Sequence, residues 1–238
     1  MSQLSIVIPC YNEADNLSAL VSRCTEILKE NPFAEIILVD NGSKDKSPEL
    51  MAQLLAASGI DRLRSYRVPE NKGYGYGILQ GLNAAKGDLL CWTHADLQTD
   101  IADCIKAYTL WSKTKDQSLV VKGKRRGRKF FDVFFTQAMQ WYVLYKLKVN
   151  INDINGQPKL FSKSFYASIK DKAPYDFSLD LYLLICAKKF GRLIDFPVYF
   201  YNRVAGEAKG GGSGGLKLKV KLMKRTLAYI NELKRGLN

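Results

Sequence analysis

Glu35-Ile36-Ile37-Leu38-Val39-Asp40-Asn41-Gly42-Ser43 decides the fold. Four consecutive aliphatic residues without polar alternation describe a strand buried on both faces, as in a parallel sheet covered by helices. The run passes straight into a polar turn, and a helix is expected from about Ser47 to Ala57. Upstream, Leu4–Ile8 reads as a β-rich strand ended by Pro9. Residues Asn12 to Glu30 then carry Leu17, Leu20, Val21, Cys24, Ile27 and Leu28 near helical spacing. Downstream come a weaker strand at Leu63–Val68, a helix from Tyr76 to Ala85 and a short strand at Gly87–Trp92. Such alternation predicts an α/β fold, a doubly wound and mainly parallel sheet with a Rossmann-like first half. Ligands of these sheets bind at the carboxyl ends of the strands. Three polar clusters fall there: Pro9-Cys10-Tyr11-Asn12-Glu13, Asp40-Asn41-Gly42-Ser43 and His94-Ala95-Asp96-Leu97-Gln98.

In the third cluster Asp96 and Gln98 are two apart, so an extended segment directs both side chains to one side. A carboxylate and an amide oxygen form an incomplete shell that suits Mg²⁺ or Mn²⁺, completed by water and substrate phosphates. The plainer alternative is a polar strand-to-helix turn with Thr99 or Asp100 as N-cap. Lys72-Gly73-Tyr74-Gly75-Tyr76-Gly77 imitates a phosphate-binding glycine fingerprint but does not follow the first strand. It reads instead as a close-packed turn into a helix.

Composition narrows the class. With 238 residues and 47% hydrophobic content the chain can bury a substantial core. No apolar run reaches the ~18 residues of a membrane span, and no basic region precedes an apolar signal core, so a cytoplasmic chain is expected. Cys10, Cys24, Cys91, Cys104 and Cys186 lack CxxC spacing and read as buried thiols in a reducing compartment. A single histidine, His94, excludes sites that need several imidazoles. The net charge of +13 is uneven: residues 1–120 hold 12 Lys/Arg against 15 Asp/Glu, and residues 121–238 hold 24 against 8. An anionic partner is therefore expected for the second half.

Ile8-Pro9-Cys10-Tyr11-Asn12-Glu13, Val39-Asp40-Asn41-Gly42-Ser43-Lys44-Asp45, Asn71-Lys72-Gly73 and Ala95-Asp96-Leu97-Gln98 resemble, in order and spacing, the motifs of family 2 glycosyltransferases with the GT-A fold. Within that family the chain is most similar to polyprenol-phosphate sugar transferases of the dolichol-phosphate mannose synthase type. The resemblance covers residues 4–100 well and continues more weakly to about 209. It implies that Pro9, Tyr11, Glu13, Asp40 and Asn41 hold the nucleoside of a nucleotide sugar, with Lys72, His94 and Ala95 on the donor side. It implies Asp96 and Gln98 as ligands of a metal bridging the diphosphate. Two positions depart from the family pattern: Asn41 replaces the second Asp of Asp-Asp-Gly-Ser, and His94 replaces the first Asp of Asp-x-Asp. Imidazole is a poor Mg²⁺ ligand, so His94 is expected either to touch nucleotide or sugar or to hydrogen-bond within its loop.

The second half is read as the acceptor side. After a strand at Leu119–Val121, the run Lys122-Gly123-Lys124-Arg125-Arg126-Gly127-Arg128-Lys129 is densely cationic, with Lys124, Arg125 and Arg128 as phosphate contacts. Phe130 to Leu147 is rich in Phe, Trp and Tyr and too polar to span, which suits a helix in an anionic membrane interface; a core helix is the alternative. Nucleic acid is not expected, since such surfaces place aromatics singly. Asn155, Gly156 and Lys159, in a turn before a Leu160-Phe161 strand, resemble the family's acceptor-side loop. Asp180, opening a helix at Leu181–Phe190, matches the family's acidic base or sugar anchor, or else serves the helix dipole. After a strand at Ile194–Tyr201, Arg203 and Lys209 resemble a phosphate-gripping element. Residues 210–215 form a Gly-rich flap or hinge and 216–238 a basic amphipathic segment, so the transferase domain is expected to be 1–209.

The reading is an inverting, metal-dependent transfer of a sugar from a nucleotide sugar to a polyprenyl phosphate. Its site is expected to be peripheral to the cytoplasmic membrane face, with or without a separate membrane subunit. Asp96, Asp180, Arg203 and Lys209 are the expected catalytic set. The alternative is the same enzyme class with a hydroxyl acceptor and Asp180 as base; a non-catalytic membrane adaptor is a rival from another class.

Overall fold

The computed structural model describes residues 3–127, 130–201 and 228–230, with the side chains of 130–136, 138 and 139 excepted. Strands β1 (Leu4–Cys10), β2 (Ala34–Asp40), β3 (Leu63–Arg67) and β4 (Leu89–Trp92) pair in parallel in the order β3-β2-β1-β4. The sheet continues through β6 (Lys159–Ser162), antiparallel to both β4 and β5 (Leu119–Arg126), and ends at β7 (Arg192–Tyr199), parallel to β5. The full order is β3-β2-β1-β4-β6-β5-β7. The mainly parallel, helix-covered sheet follows from strands such as β2, all seven of whose residues are buried.

Helices α1 (Ala14–Glu30), α2 (Ser47–Ser58) and α4 (Ala102–Ser112) cover one face through Leu17, Met51 and Trp111. Helices α3 (Tyr74–Ala84), α6 (Lys163–Ile169) and α7 (Leu179–Phe190) cover the other through Ile78, Phe165 and Leu183. A smaller cluster joins Val143 of α5 (Phe130–Leu147) to Leu181 and Ile185 of α7. Ile230, buried in the same cluster, seats this part of the 216–238 segment against the body of the domain. All five cysteines are buried and free. Among the described residues no helix is long and apolar enough to cross a membrane.

Two expectations change. β1 runs through Pro9 to Cys10: Val7 O accepts from Thr93 N, so odd positions face β4, and the Pro9 nitrogen points there beyond β4's last paired residue. A proline at that point costs no ladder hydrogen bond. The cationic run after Val121 is not a free basic surface at its start, because β5 extends to Arg126. Lys122 is fully buried beside Asp195, with 3.3 Å between Nζ and Oδ1.

Candidate active site

The turns after β1 and β2 are knitted together at the carboxyl edge of the sheet. Asn12, at φ 51°, donates its N–H to Ser43 Oγ (3.0 Å) and accepts from Lys44 N at Oδ1 (2.8 Å). Glu13 N donates to Ser47 Oγ (2.9 Å), and the Glu13 carboxylate accepts from Asn16. Pro9 and Tyr11 are half-buried beside them. Asp40, 2% exposed, accepts from Ser43 N at Oδ1 (2.9 Å), while Oδ2 has no hydrogen bond and lies 3.6 Å from Arg67 Nε. A buried carboxylate oxygen without a donor marks a place where a ligand N–H or O–H would be favoured. Asn41 donates to Gly73 O (3.0 Å) and packs so closely on Gly77 that a Cβ there would fall 2.6 Å from the Asn41 amide carbon.

The turn after β4 is held from within and from both flanks. Thr93 and Thr99 hydroxyls meet at 3.3 Å, Asp96 Oδ1 accepts from Gln98 N at 3.2 Å, and Leu97 takes φ 54°. On one flank Gln98 exchanges hydrogen bonds with Tyr201: Tyr201 N donates to Gln98 O (2.8 Å) and Gln98 Nε2 to Tyr201 O (3.3 Å). On the other, the Tyr74 hydroxyl lies 2.9 Å from His94 Nε2. Burial favours neutral imidazole at His94, against the opposing charges of Asp96 and Asp180. Burial, reinforced by those two carboxylates, keeps Tyr74 protonated. Asp100 is bound bidentately by Arg23 of α1, at 3.0 and 2.9 Å. Ala95 is buried in the turn.

The donor set at this turn is small. Gln98 donates its side-chain nitrogen to Tyr201, and among the described residues of this turn its amide oxygen and the Asp96 carboxylate are of the right type to ligate a cation. Among the described residues no group of three or more His, Cys, Asp and Glu could cage a metal. Two oxygens fit a hard divalent cation that retains water and phosphate ligands, and do not fit an all-protein site.

Beside this turn lies a row that carries two buried lysines and ends at an exposed aspartate. The register Trp92↔Lys159↔Lys122↔Asp195 runs across β4, β6, β5 and β7 on one face. Lys159 is fully buried, lies over the Trp92 ring (5.6 Å) and donates to Gly156 O (3.1 Å) and to the Asp180 carboxylate. Asp180 Oδ1 also accepts from Gln157 Nε2 (2.9 Å). Burial lowers the affinity of both lysines for their protons, opposed by Asp180 at Lys159 and by Asp195 at Lys122. Arg125 donates to the Asp153 carboxylate from Nε (3.0 Å) and from its backbone N–H (2.8 Å), and stacks over Phe200.

The expected acceptor residues therefore divide. Lys159 is not a loop cation but opens β6 with its ammonium committed to Asp180, and the Arg125 guanidinium is committed to Asp153. Gly156 is a packing position, since a Cβ there would strike Gly123 O. Lys124 is half-buried and Asn155 exposed; Lys72 is exposed with its ammonium 5.6 Å from the Tyr76 ring centre. Arg128, Arg203, Lys209 and the 210–215 flap lie outside the described residues. Tyr74, Asp153 and Gln157 join the site although sequence reasoning gave them no role. Their signals were a tyrosine framed by glycines and a polar pair flanking Gly156.

A seven-stranded sheet with one reversed inner strand and an acidic turn after β4 defines a GT-A-type domain. The chain belongs to glycosyl transferase family 2, whose pattern matches residues 5–171. It is 28% identical over 214 residues to the undecaprenyl-phosphate 4-deoxy-4-formamido-L-arabinose transferase of Edwardsiella ictaluri, covering 87% of this chain and 63% of that one. The protein of the same description from Yersinia pestis (strain Pestoides F) is 43% identical over 101 residues, 41% of this chain and 30% of the relative. The chain thus spans less than two thirds of these relatives' own lengths. Among solved structures, glucosyl-3-phosphoglycerate synthase from Mycobacterium tuberculosis, with Mn²⁺, UDP-glucose and glycerol 3-phosphate, has a TM-score of 0.73 at 16% identity, covering 99% of this chain and 80% of that chain. Mannosyltransferase PcManGT from Pyrobaculum calidifontis, with GDP-Man and Mn²⁺, has a TM-score of 0.64 at 18% identity, covering 85% and 57%. At these identities the two structures speak to the fold.

Proposed function

We propose that the chain transfers a sugar from a nucleotide sugar to a polyprenyl phosphate at the cytoplasmic face of a membrane, with inversion at the anomeric carbon. The relatives' description as undecaprenyl-phosphate sugar transferases supports the class. The observation that carries the choice of acceptor is the double engagement of Asp180 by Lys159 and Gln157. Asp180 Oδ1 already accepts from both the Lys159 ammonium and Gln157 Nε2, so the carboxylate acts as their anchor and not as a general base. A hydroxyl acceptor needs such a base; a lipid phosphate, ionised near neutral pH, does not.

In this reading Tyr11 offers an apolar face to the nucleoside and Asp40 Oδ2, which has no hydrogen bond, accepts one of its donors, with Pro9, Glu13 and Asn41 shaping the crevice. Asp96 and Gln98 would hold Mn²⁺ or Mg²⁺, which when bound supplies Lewis-acid neutralisation of the leaving diphosphate. Lys72, His94 and Ala95 border the donor, while Lys124, Arg128, Arg203 and Lys209 receive the acceptor phosphate. Asp180 orients the sugar through its fixed carboxylate. Catalysis is positioning and charge balance, without proton transfer. On α5 the exposed Trp141, Leu144 and Tyr145, with Lys146 and Lys148 beside the Tyr145 ring, form a face suited to an anionic membrane interface.

The test is transfer from radiolabelled UDP- and GDP-sugars into vesicles containing undecaprenyl or dolichyl phosphate, with Mn²⁺ or Mg²⁺ and Asp96→Ala as control. Metal-dependent label in the lipid phase, absent in the variant, supports the reading. Label on a soluble hydroxyl compound instead of lipid would replace it with the hydroxyl-acceptor enzyme.

A further inference from the structure

The glycine-rich entry to α3 has a geometry that the donor role does not use. Gly73 and Gly75 receive the segment 174–176: at Gly75 a Cβ would fall 2.5 Å from Pro174 O and 2.8 Å from Asp176 O, and at Gly73 it would strike Tyr175 O. Tyr76 N donates to Tyr175 O at 3.0 Å. Between the two glycines, the Tyr74 ring stacks on Phe177 with centroids 4.6 Å apart and planes 7° from parallel. Its hydroxyl reaches His94. Phe177 lies inside the turn that starts α7, where Asp176 accepts from Ser178 N (2.9 Å) and Leu179 N (3.2 Å), three residues before Asp180.

We propose that Tyr74 is a positioning residue for Asp96, acting through His94, and that its stack on Phe177 ties the donor turn to the helix carrying Asp180. The turn His94–Thr99 is then braced from two sides, by Tyr201 at Gln98 and by Tyr74 at His94, with Asp96 between the braces. Such outer contacts fix the direction of a ligating carboxylate, and losing one typically lowers metal affinity by 10–100-fold. The inference rests on Asp96 holding the cation of a bound nucleotide diphosphate. It also accounts for histidine at position 94, since a carboxylate there would bring a third negative charge beside Asp96 and Asp180.

His94 is the sole histidine of the chain, so its ring nitrogens can be observed directly by NMR in ¹⁵N-histidine-labelled protein. Tyr74→Phe keeps the stack and removes only the hydroxyl. Its ligand-free spectrum is expected to show a shifted His94 Nε2 resonance. Binding of UDP and GDP is then titrated calorimetrically with Mn²⁺ and in EDTA. Tyr74→Phe should raise the Mn²⁺ needed for half-saturation about tenfold while leaving nucleotide affinity in EDTA unchanged. His94→Ala should do the same, and the double variant should be no worse than either single, as coupled residues behave. An unshifted His94 resonance, or losses that multiply in the double variant, overturns the tie alone. Failure of the wild type to bind either nucleotide overturns the donor-site reading, and the role given to Asp96 with it.

Discussion

Lys159 and Asp180 form an ion pair in which the lysine side chain has no exposed surface and the aspartate side chain 4%. Removing one member of such a pair leaves the other charge buried without its partner, which typically costs about 3–5 kcal/mol. Lys159→Met is therefore expected to lose about that much stability in urea unfolding. The double variant Lys159→Met/Asp180→Asn, which leaves no orphan charge, should recover more than about 1 kcal/mol of it. Equal stability of the single and double variants would show that the pair is not the source of the loss.

Gly75 separates packing from backbone freedom. The carbonyls of Pro174 and Asp176 occupy the space of a Cβ, so Gly75→Ala must push the segment before α7 outward, at about 1–3 kcal/mol. Gly59, the left-handed cap of α2 at φ 63°, has no atom within 4 Å of such a Cβ, so Gly59→Ala carries only backbone strain, roughly 1–2 kcal/mol. Thermal unfolding compares the two. Nucleotide binding discriminates further, because only Gly75→Ala should weaken it.

The first half of the fold was legible because its signals are local. β2 is an unbroken aliphatic run, α1 a clean helical stripe, and the polar turns fall where a parallel sheet places its ligands. The charges of the second half were not. Lys122 and Arg125 belong to one cationic run in the chain, yet register with β7 buries Lys122 beside Asp195, and the turn before β6 delivers Asp153 to Arg125. Partners 73 and 28 residues away decide whether a lysine or arginine meets solvent or a carboxylate, and no window of sequence contains both. The same holds for Tyr74: its glycine neighbours were visible, but the segment they accommodate lies a hundred residues further on.

Acid stability should depend on Glu35. Burial alone would raise its carboxyl, but donors outweigh it: Ser5 Oγ at 2.6 Å, Lys86 N at 2.7 Å and Arg64 Nε at 3.2 Å leave it below the ordinary glutamate value. A carboxyl depressed in the folded state contributes stability that is present above its unfolded value of ~4.3 and is lost as pH falls through the folded value. Urea unfolding of the wild type between pH 3 and 6 should thus show stability falling on the acid side. Glu35→Gln should be less stable at pH 6 and should show a shallower acid decline. Parallel curves for the two proteins would remove Glu35 from the account.

Membrane attachment through α5 can be tested without disturbing the domain. Trp141 is 72% exposed and Tyr145 68%, on the same helix face as Leu144, whereas Val143 is buried against α7. Lys146 lies 5.5 Å and Lys148 5.6 Å from the Tyr145 ring centre, placing positive charge beside one of the rings that would enter the interface. Aromatic burial and lysine–headgroup attraction are then separable terms. Trp141→Ala/Tyr145→Ala should weaken binding to anionic vesicles by about tenfold or more, given the apolar area withdrawn from water, and should leave thermal unfolding unchanged. Lys146→Glu/Lys148→Glu should weaken binding to anionic vesicles at low salt but not to neutral ones. Vesicle flotation reads both effects. If the aromatic variant floats like the wild type, α5 is not the anchoring element, and the basic residues beyond Tyr201 become the place to look.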